Sequence, residues 1–225
     1  MASTISQRLP SDRRFEFSSQ ACPADTFAVV RMSGFEAISR PYRFELVLVS
    51  DDARIDLARV LAAKAELRIL APDTHGKATP YAGVLAEFDQ LHQAGGFTFY
   101  RAVLVPRLWQ LSLYRNSEVY LHEQTIPDIV EGILKGGGLN PTNDYTLKLR
   151  ARYRPRSYVC QYQETPLAFI SRWLEREGIY YYFEQADGAD RLVLLDDKVA
   201  QPAPAITVNY RPADELDVGL AADSV

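Results

Sequence analysis

The sequence predicts an α+β fold that is mainly β: a small antiparallel β-barrel followed by a helix–strand–helix–hairpin segment. In the first half of the 225-residue chain, apolar and polar residues alternate in short runs, as strands with one buried face require. Tyrosine is abundant, at 13 residues, and aromatic side chains favour strands. Two long amphipathic helical patterns occur, both in the second half. Strands that precede helices, rather than alternate with them, are typical of α+β proteins.

Short strands joined by turns make up the first half. Between residues 41 and 49, the apolar residues at alternate positions share one face of the predicted strand. That face carries Tyr42, Phe44, Leu46 and Leu48. Glycines at residues 95–96 predict a hairpin, and residues 33–35 predict a further turn. Strands are predicted over residues 15–17, 27–32, 41–49, 65–70, 81–90, 97–106 and 109–113.

The first long helix is predicted from its N-cap. Thr125 is the cap, Pro127 lies in the first turn, and Asp128 takes the capping-box position. Glycines at residues 136–138 predict its end. The apolar stripe consists of Ile126, Ile129, Val130, Ile133 and Leu134.

The second long helix follows a predicted strand over residues 158–162. Thr165 is its N-cap, Pro166 is its first residue, and Gly178 predicts its end. The stripe consists of Leu167, Ile170, Trp173 and Leu174, and the predicted hairpin that follows covers residues 179–184 and 192–195.

Composition and charge narrow the classes of function. Apolar residues make up 47% of the chain and charged residues 24%, which is ordinary for a soluble globular protein. The formal net charge of −4 argues against a nucleic-acid binder that works through bulk positive charge. No apolar stretch approaches the roughly 20 residues of a transmembrane helix. The N-terminal residues lack the apolar core of a signal peptide, so we expect the protein to begin in the cytoplasm.

No motif predicts catalytic, cofactor-binding or metal-binding residues, and we assign none. His75, His92 and His122 have no histidine or cysteine partner at ligand spacing. His122 and Glu123 begin an HExxH pattern, but position 126 is isoleucine, so the second ligand is missing.

The two cysteines, Cys22 and Cys160, allow at most one disulfide. They lie far apart in the sequence and neither belongs to a CxxC pair. Two reduced thiols are the favoured interpretation for a cytoplasmic protein.

Four arginines alternate along residues 149–157. If this segment is a strand, Arg150, Arg152, Arg154 and Arg156 share one face. Such a basic face is able to contact phosphates. The acidic balance of the chain favours a solvated or partner-facing strand edge instead, and nucleic acid is the minor alternative.

Several stretches, taken in order, resemble one family. They are residues 31–44, 81–85, 106–111 and, most specifically, residues 160–183, which read CQYQETPLAFISRWLEREGIYYYF. Together they resemble the N-terminal part of VgrG, the tip protein of bacterial type VI secretion. The resemblance extends from about residue 15 to residue 197.

The resemblance implies a hub built from small antiparallel barrels with inserted helices. It implies that three chains form a ring on a tube of Hcp hexamers, with effectors or adaptor proteins as further partners. From the missing motifs, the acidic balance and the short apolar stretches, we expect no cofactor, no nucleic-acid partner and no membrane insertion of this region. The particle is expected to assemble in the cytoplasm and then to be secreted into a target cell or the medium.

The same resemblance suggests a division of the chain. Residues 1–118 are expected to form the first hub barrel and residues 119–200 an inserted α/β segment. Residues 201–225 are expected to begin a second barrel or a linker, because members of this family continue into a second barrel and a β-spike.

Two other functions remain open at this point. One is a hub or baseplate protein of a contractile phage tail or a related injection device. The other is a cell-wall hydrolase module, which needs an acid pair or an activated nucleophile that no motif of the sequence supplies.

Overall fold

The computed structural model describes residues 14–70, 78–186 and 188–200, and His75 lies outside them. Short 3₁₀ helices cover Ala24–Thr26, Arg107–Ser112 and Lys198–Ala200. The α-helices are α1 (Leu57–Leu61), α2 (Ile126–Gly136) and α3 (Pro166–Glu177). The strands are β1 (Phe15–Ser19), β2 (Ala28–Ala37), β3 (Arg40–Ser50), β4 (Lys64–Leu70), β5 (Ala78–Ala94), β6 (Phe97–Val105), β7 (Asn116–Tyr120), β8 (Tyr145–Lys148), β9 (Val159–Glu164), β10 (Tyr180–Ala186) and β11 (Ala189–Leu195).

The first six strands form one antiparallel sheet in the order β1-β4-β5-β6-β3-β2. The sheet curls into a half-barrel, which confirms the predicted mainly β fold. The alternation in β3 is confirmed, because Tyr42, Leu46 and Leu48 are completely buried on the inner face. The predicted hairpin between β5 and β6 is also present, with positive φ at both Gly95 and Gly96.

The turn predicted at residues 33–35 is wrong. These residues lie inside β2, where Gly34 pairs with Phe44. The chain reverses at residues 38–39 instead, and Ser39 adopts a φ of 59°. The Ser39 N–H donates to the carbonyl oxygen of Tyr181 at 2.8 Å, so a contact with a distant strand fixes this turn.

The strand predicted over residues 109–113 is also wrong. The segment forms the 3₁₀ helix Arg107–Ser112, in which Leu108 and Leu111 are buried. Their spacing of three residues matches the three residues per turn of a 3₁₀ helix, not the period of two that a half-buried strand requires.

Both predicted helix starts are confirmed. At α2, the Thr125 hydroxyl accepts from the N–H of Asp128, whose carboxylate accepts from the N–H of Thr125 at 3.0 Å. At α3, the Thr165 hydroxyl accepts from the N–H of Ala168 at 3.1 Å, and Gly178 ends the helix in the left-handed conformation. Each cap sets the first residue of its helix and therefore the position of the apolar stripe along the core.

The strands of the second half form two small sheets. The predicted hairpin is β10–β11, and β8 adds to β11 in parallel, which gives the order β10-β11-β8. Strands β7 and β9 form a separate antiparallel ribbon, which confirms the strand predicted over residues 158–162.

One continuous cluster of buried side chains joins the curled sheet to the helices and hairpin. It extends from Phe17 in β1 to Leu194 in β11. The division of the chain at residues 118 and 200 stays a prediction. Within the described residues, no helix has both the length and the apolarity that crossing a bilayer requires.

Candidate functional site

A buried ionic joint fixes the second half of the molecule to the end of the curled sheet. The backbone N–H of Arg107 donates to the Asp190 carboxylate at 2.8 Å, and its Nε donates to the same carboxylate at 3.3 Å. The Nη2 of Arg107 contacts the carboxylate of Asp144. The side chains of Arg107, Asp144 and Asp190 are only 19%, 10% and 5% exposed.

The pKa shifts of this joint follow from burial and hydrogen bonding. Burial raises the pKa of Asp190, although Arg107 opposes the change. Burial favours a higher pKa for Asp144 as well. Hydrogen bonds from Arg107 and Asn140 outweigh burial and lower the pKa of that carboxyl. Both carboxylates use their oxygens to accept from protein donors, which is the arrangement of a structural joint.

A second joint surrounds Trp173 in α3. The guanidinium groups of Arg156, Arg172 and Arg176 lie 5.1, 5.4 and 5.1 Å from the centre of its ring system. Arg156 pairs with Glu177 at 2.6 Å, and Arg172 pairs with Glu164 of β9 at 2.6 Å. These contacts hold α3 against the β7–β9 ribbon and the loop that precedes it.

The four alternating arginines do not form a strand face, and that prediction is wrong. The Asp196 carboxylate accepts from the N–H groups of Arg150 and Ala151 at 2.9 and 2.7 Å, and from the Tyr153 hydroxyl at 2.8 Å. These bonds hold an irregular loop and occupy N–H groups that a strand ladder needs. Arg152 and Arg154 are exposed, whereas Arg156 turns back to Glu177.

The remaining residues of chemical interest lie apart from one another. The His92 ring stacks on Phe99 at 4.6 Å, and His122 occupies a turn with a φ of 73°. Cys22 and Cys160 are free, half-buried thiols. Among the described residues, no group of three or more histidine, cysteine, aspartate or glutamate side chains is arranged to hold a metal ion.

Two groups of exposed apolar side chains are the surface features that sequence reasoning missed. The first, here called the β2 patch, lies along the edge strand β2 and the turn after it. It consists of Val30, Phe35 and Ile38, which are 55%, 50% and 61% exposed.

The second group, here called the ribbon patch, lies on the outer face of the β7–β9 ribbon. It consists of Val119, Leu121, Tyr158 and Tyr162, which are 46%, 44%, 61% and 70% exposed. Val119 pairs with Cys160, and the two tyrosines lie two residues to either side of Cys160. The alternate residues Val159 and Gln161 are buried. The sequence does contain this alternation, but it does not say which face packs on the core.

Comparison with known proteins places this architecture in a family. The model of the phage tail baseplate hub (GPD) matches residues 35–225. The chain belongs to the phage tail baseplate hub family. The type VI secretion system spike protein VgrG5 of Pseudomonas aeruginosa is 37% identical to it over 198 residues, which is 88% of this chain and 24% of that protein. The hub chain thus spans about a quarter of the length of the curated relatives that it matches.

Solved structures share the fold of this hub chain. The E. coli c3393 protein, described as a type VI secretion component similar to the phage T4 tail proteins gp27 and gp5, aligns with a TM-score of 0.74 and 26% identity. The alignment covers 84% of this chain and 51% of that one. A 43 kDa tail protein of prophage MuSo2 from Shewanella oneidensis aligns with a TM-score of 0.52 over 80% of this chain and 54% of that one, at 13% identity, which shows a common fold alone. The predicted resemblance to VgrG is confirmed.

Proposed function

We propose that this chain is the hub region of a type VI secretion tip. Three copies form a ring that sits on a tube of Hcp and carries effectors or adaptor proteins into a target cell. The 37% identity to a Pseudomonas spike protein across 88% of the chain is the observation that carries this proposal. Within the hub, residues 1–118 form the first barrel, residues 119–200 the inserted segment, and residues 201–225 begin a second barrel or linker.

The structural features support a scaffold that works by holding its shape. The ionic joint of Arg107, Asp144 and Asp190 fixes the inserted segment to the curled sheet, and its carboxylates are occupied by donors. A ring that is pushed through a neighbouring cell envelope needs such rigid connections between its parts. Assembly takes place in the cytoplasm, and the hub leaves the cell with the spike.

Secretion of Hcp tests the proposal directly. Deletion of the gene from a strain with no second copy is expected to abolish Hcp in the culture medium, and a plasmid copy is expected to restore it. Hcp inside the cells, measured in parallel, controls for expression. Normal Hcp secretion by the deletion strain contradicts the proposal.

A hub of a contractile phage tail is the second candidate function. The matching family model and the shared fold of the Shewanella prophage tail protein favour it. Neighbouring genes separate the two: tube, sheath and ATPase genes indicate secretion, whereas capsid and portal genes indicate a phage.

A further inference from the structure

We propose that the chain binds a small carboxylate with a short hydrocarbon body in a pocket between the end of α3 and the turn that joins β2 to β3. This pocket, here called the α3 pocket, is lined by residues 38–40 of the turn, by residues of α3 and its C-cap between 171 and 178, and by residues 179–181 of β10 and the position before it. Its volume is about 440 Å³, which is within the range of sites that hold small molecules. Every group that the inference uses lies in one chain, so it does not depend on the proposed function.

A buried hydroxyl without a hydrogen-bond partner points to a ligand in this pocket. Tyr181 is 1% exposed, and its hydroxyl oxygen has no hydrogen-bond partner among the described residues. A buried polar group without a partner costs folding free energy, and native proteins leave few of them unpaired. Because Tyr181 lines the α3 pocket, a ligand there is in position to accept the missing hydrogen bond.

Two neighbouring side chains place the Tyr181 hydroxyl at the wall of the pocket. Burial raises the pKa of Tyr181 to about 12, and the Ser171 hydroxyl and the Arg40 guanidinium oppose that rise. Both groups therefore lie near the Tyr181 hydroxyl, and both residues line the pocket. The Ser171 hydroxyl donates its own proton to the carbonyl oxygen of Leu167 at 2.7 Å, so Arg40 and Tyr181 are the donors left for a ligand.

The free donors in the pocket favour an anion. Arg40 has no carboxylate within ion-pair distance among the described residues. The Ser39 hydroxyl oxygen accepts from the N–H of Tyr181 at 3.4 Å, which leaves its proton free to donate. A guanidinium and two hydroxyl groups thus meet in one pocket, and a carboxylate accepts from such donors through strong, charge-assisted hydrogen bonds.

The negative charge at this pocket lies farther from the buried hydroxyl. Among the described residues that line the pocket, Glu175 is the acidic one, and it is exposed. The charge of Arg40 acts on the pKa of Tyr181, whereas that of Glu175 does not. The anionic end of a ligand is therefore expected beside Arg40 and Tyr181, away from Glu175.

The apolar part of the lining suits a hydrocarbon body. Leu174 and Ile179 are each 3% exposed, whereas Ile38 is 61% exposed, and all three line the pocket. A ligand that covers Ile38 adds apolar burial, which stabilises the complex. An apolar lining with a few placed polar groups is typical of sites for small molecules.

Backbone hydrogen bonds hold the walls of the pocket together. The Ser39 N–H donates to the carbonyl oxygen of Tyr181 at 2.8 Å, which ties the turn to β10. The N–H of Ile179 donates to the carbonyl oxygen of Leu174 at 2.8 Å, which ties the end of α3 to the start of β10. The three walls thus form one frame, and a preorganised site loses less free energy when it orders a ligand.

A titration of the ¹⁵N-labelled chain with sodium hexanoate, followed by amide chemical shifts, tests the site. The largest shifts are expected at the N–H groups of Ser39, Gly178 and Tyr181, which surround the pocket. Inorganic phosphate lacks the hydrocarbon body, and 1-hexanol lacks the charge. Each is expected to bind at least about tenfold more weakly than hexanoate, since each forfeits one of the two contributions.

Two substitutions test the donors. Tyr181→Phe and Arg40→Gln are each expected to raise the dissociation constant of hexanoate by at least about tenfold, the effect of a lost hydrogen bond to a charged group. The matched controls Tyr182→Phe and Arg31→Gln remove the same groups from residues that do not line the pocket, and they are expected to bind as wild type. Glu175→Gln removes the negative charge from the lining and is expected to bind hexanoate more tightly.

The stability of Tyr181→Phe distinguishes a ligand-binding hydroxyl from a structural one. Without hexanoate, removal of a buried hydroxyl that lacks a partner is expected to leave the urea midpoint unchanged or to raise it. A structural hydroxyl predicts a lower midpoint instead. Saturating hexanoate is expected to raise the midpoint of wild type and to have little effect on Tyr181→Phe.

Three results overturn the inference. They are hexanoate shifts that are absent from the residues around the pocket, binding of phosphate or 1-hexanol as tight as that of hexanoate, and a Tyr181→Phe variant that binds as wild type or is less stable without hexanoate. None of them bears on Hcp secretion by the deletion strain, so the pocket and the proposed function are tested separately.

Discussion

The outer face of the curled sheet and the junction between the two halves of the molecule place their charged residues differently. On the outer face of the curled sheet, Arg43, Glu45, Glu87 and Arg101 form a cross-strand ladder of ion pairs, and their side chains are 30–42% exposed. Where the curled sheet meets the second half, the side chains of Arg107, Asp144 and Asp190 are 19% exposed or less. Water screens the ladder, whereas the joint lies where an unpaired charge is costly. The number of ion pairs in a region therefore says little about how much the stability of the fold depends on that region.

Arg107→Met tests the buried side of this comparison and is expected to have the largest effect. The substitution leaves two buried carboxylates without their cation, which costs about 3–5 kcal/mol of unfolding free energy. Urea unfolding at pH 7, followed by tryptophan fluorescence, measures the loss. A loss below about 1 kcal/mol contradicts the assignment of the joint as a structural centre.

The pH dependence of the same variant supplies its control. Without the Arg107 side chain, the pKa values of Asp144 and Asp190 rise, since burial is then opposed by the hydrogen bonds from Asn140 and from the backbone N–H at position 107 but no longer by the guanidinium. A carboxyl with a raised pKa binds its proton more readily in the folded state, so folding gains stability as the pH falls. The unfolding free energy that the variant loses relative to wild type is therefore expected to be smaller at pH 5 than at pH 7. An equal deficit at both values indicates lost packing instead of unpaired charge.

Gly83→Ala tests whether the curled sheet itself depends on close backbone packing, whereas its junction with the second half depends on charge. A Cβ at position 83 meets the backbone carbonyl oxygen of Val105 in the neighbouring strand, which has little freedom to move. We expect a loss of about 2–3 kcal/mol. The control is Gly132→Ala, at an exposed position of α2 with no atom near the new Cβ. That change is expected to add about 0.5–1 kcal/mol. If both variants lose unfolding free energy, the loss in Gly83→Ala is not due to the close backbone contact at that position.

The sequence predicted elements whose signals are local. Alternation located β3, and the caps Thr125 and Thr165 located α2 and α3, because each pattern and its hydrogen bonds lie within a few neighbouring residues. The resemblance in residues 160–183 led to the family. These signals do not depend on where the rest of the chain lies.

The features that sequence reasoning missed depend on distant partners. Arg107 and Asp190 are 83 positions apart, and nothing in either neighbourhood marks the pair. The loop of the alternating arginines is irregular because Asp196, which lies 46 residues after Arg150, takes its N–H groups. Partners that are distant in the sequence also determine the parallel pairing of β8 with β11 and the outward direction of the ribbon tyrosines.

Asp196→Asn tests this long-range capture and is expected to cost about 1 kcal/mol at pH 7, since the contacts are partly exposed. Burial alone raises the pKa of Asp196, but the N–H groups of Ala151 and Arg150 and the Tyr153 hydroxyl outweigh it and lower the pKa. A lowered carboxyl pKa stabilises the fold above the unfolded value of about 3.9 and loses that contribution as the pH falls through the folded value. The deficit of the variant is therefore expected to shrink at pH 3. If the unfolding free energy that the variant loses grows toward pH 3, the hydrogen bonds to the Asp196 carboxylate do not stabilise the loop as inferred.

Arg101→Ala tests the exposed side of the comparison and is expected to have the smallest effect. Arg101 pairs with Glu45 at 2.9 Å and with Glu87 at 2.5 Å, so by distance this ladder looks as strong as the buried joint. Hydrogen bonds from Arg101 lower the pKa of Glu45, and those from Arg43 and Arg101 lower that of Glu87, but solvent reaches all these side chains. Water therefore replaces the lost contacts, and the variant is expected to lose only a small fraction of what Arg107→Met loses. High salt is expected to reduce the difference between Arg101→Ala and wild type further. If urea unfolding gives Arg101→Ala a loss equal to that of Arg107→Met, burial does not distinguish the ladder from the joint, and the ladder must be treated as part of the same stabilising network.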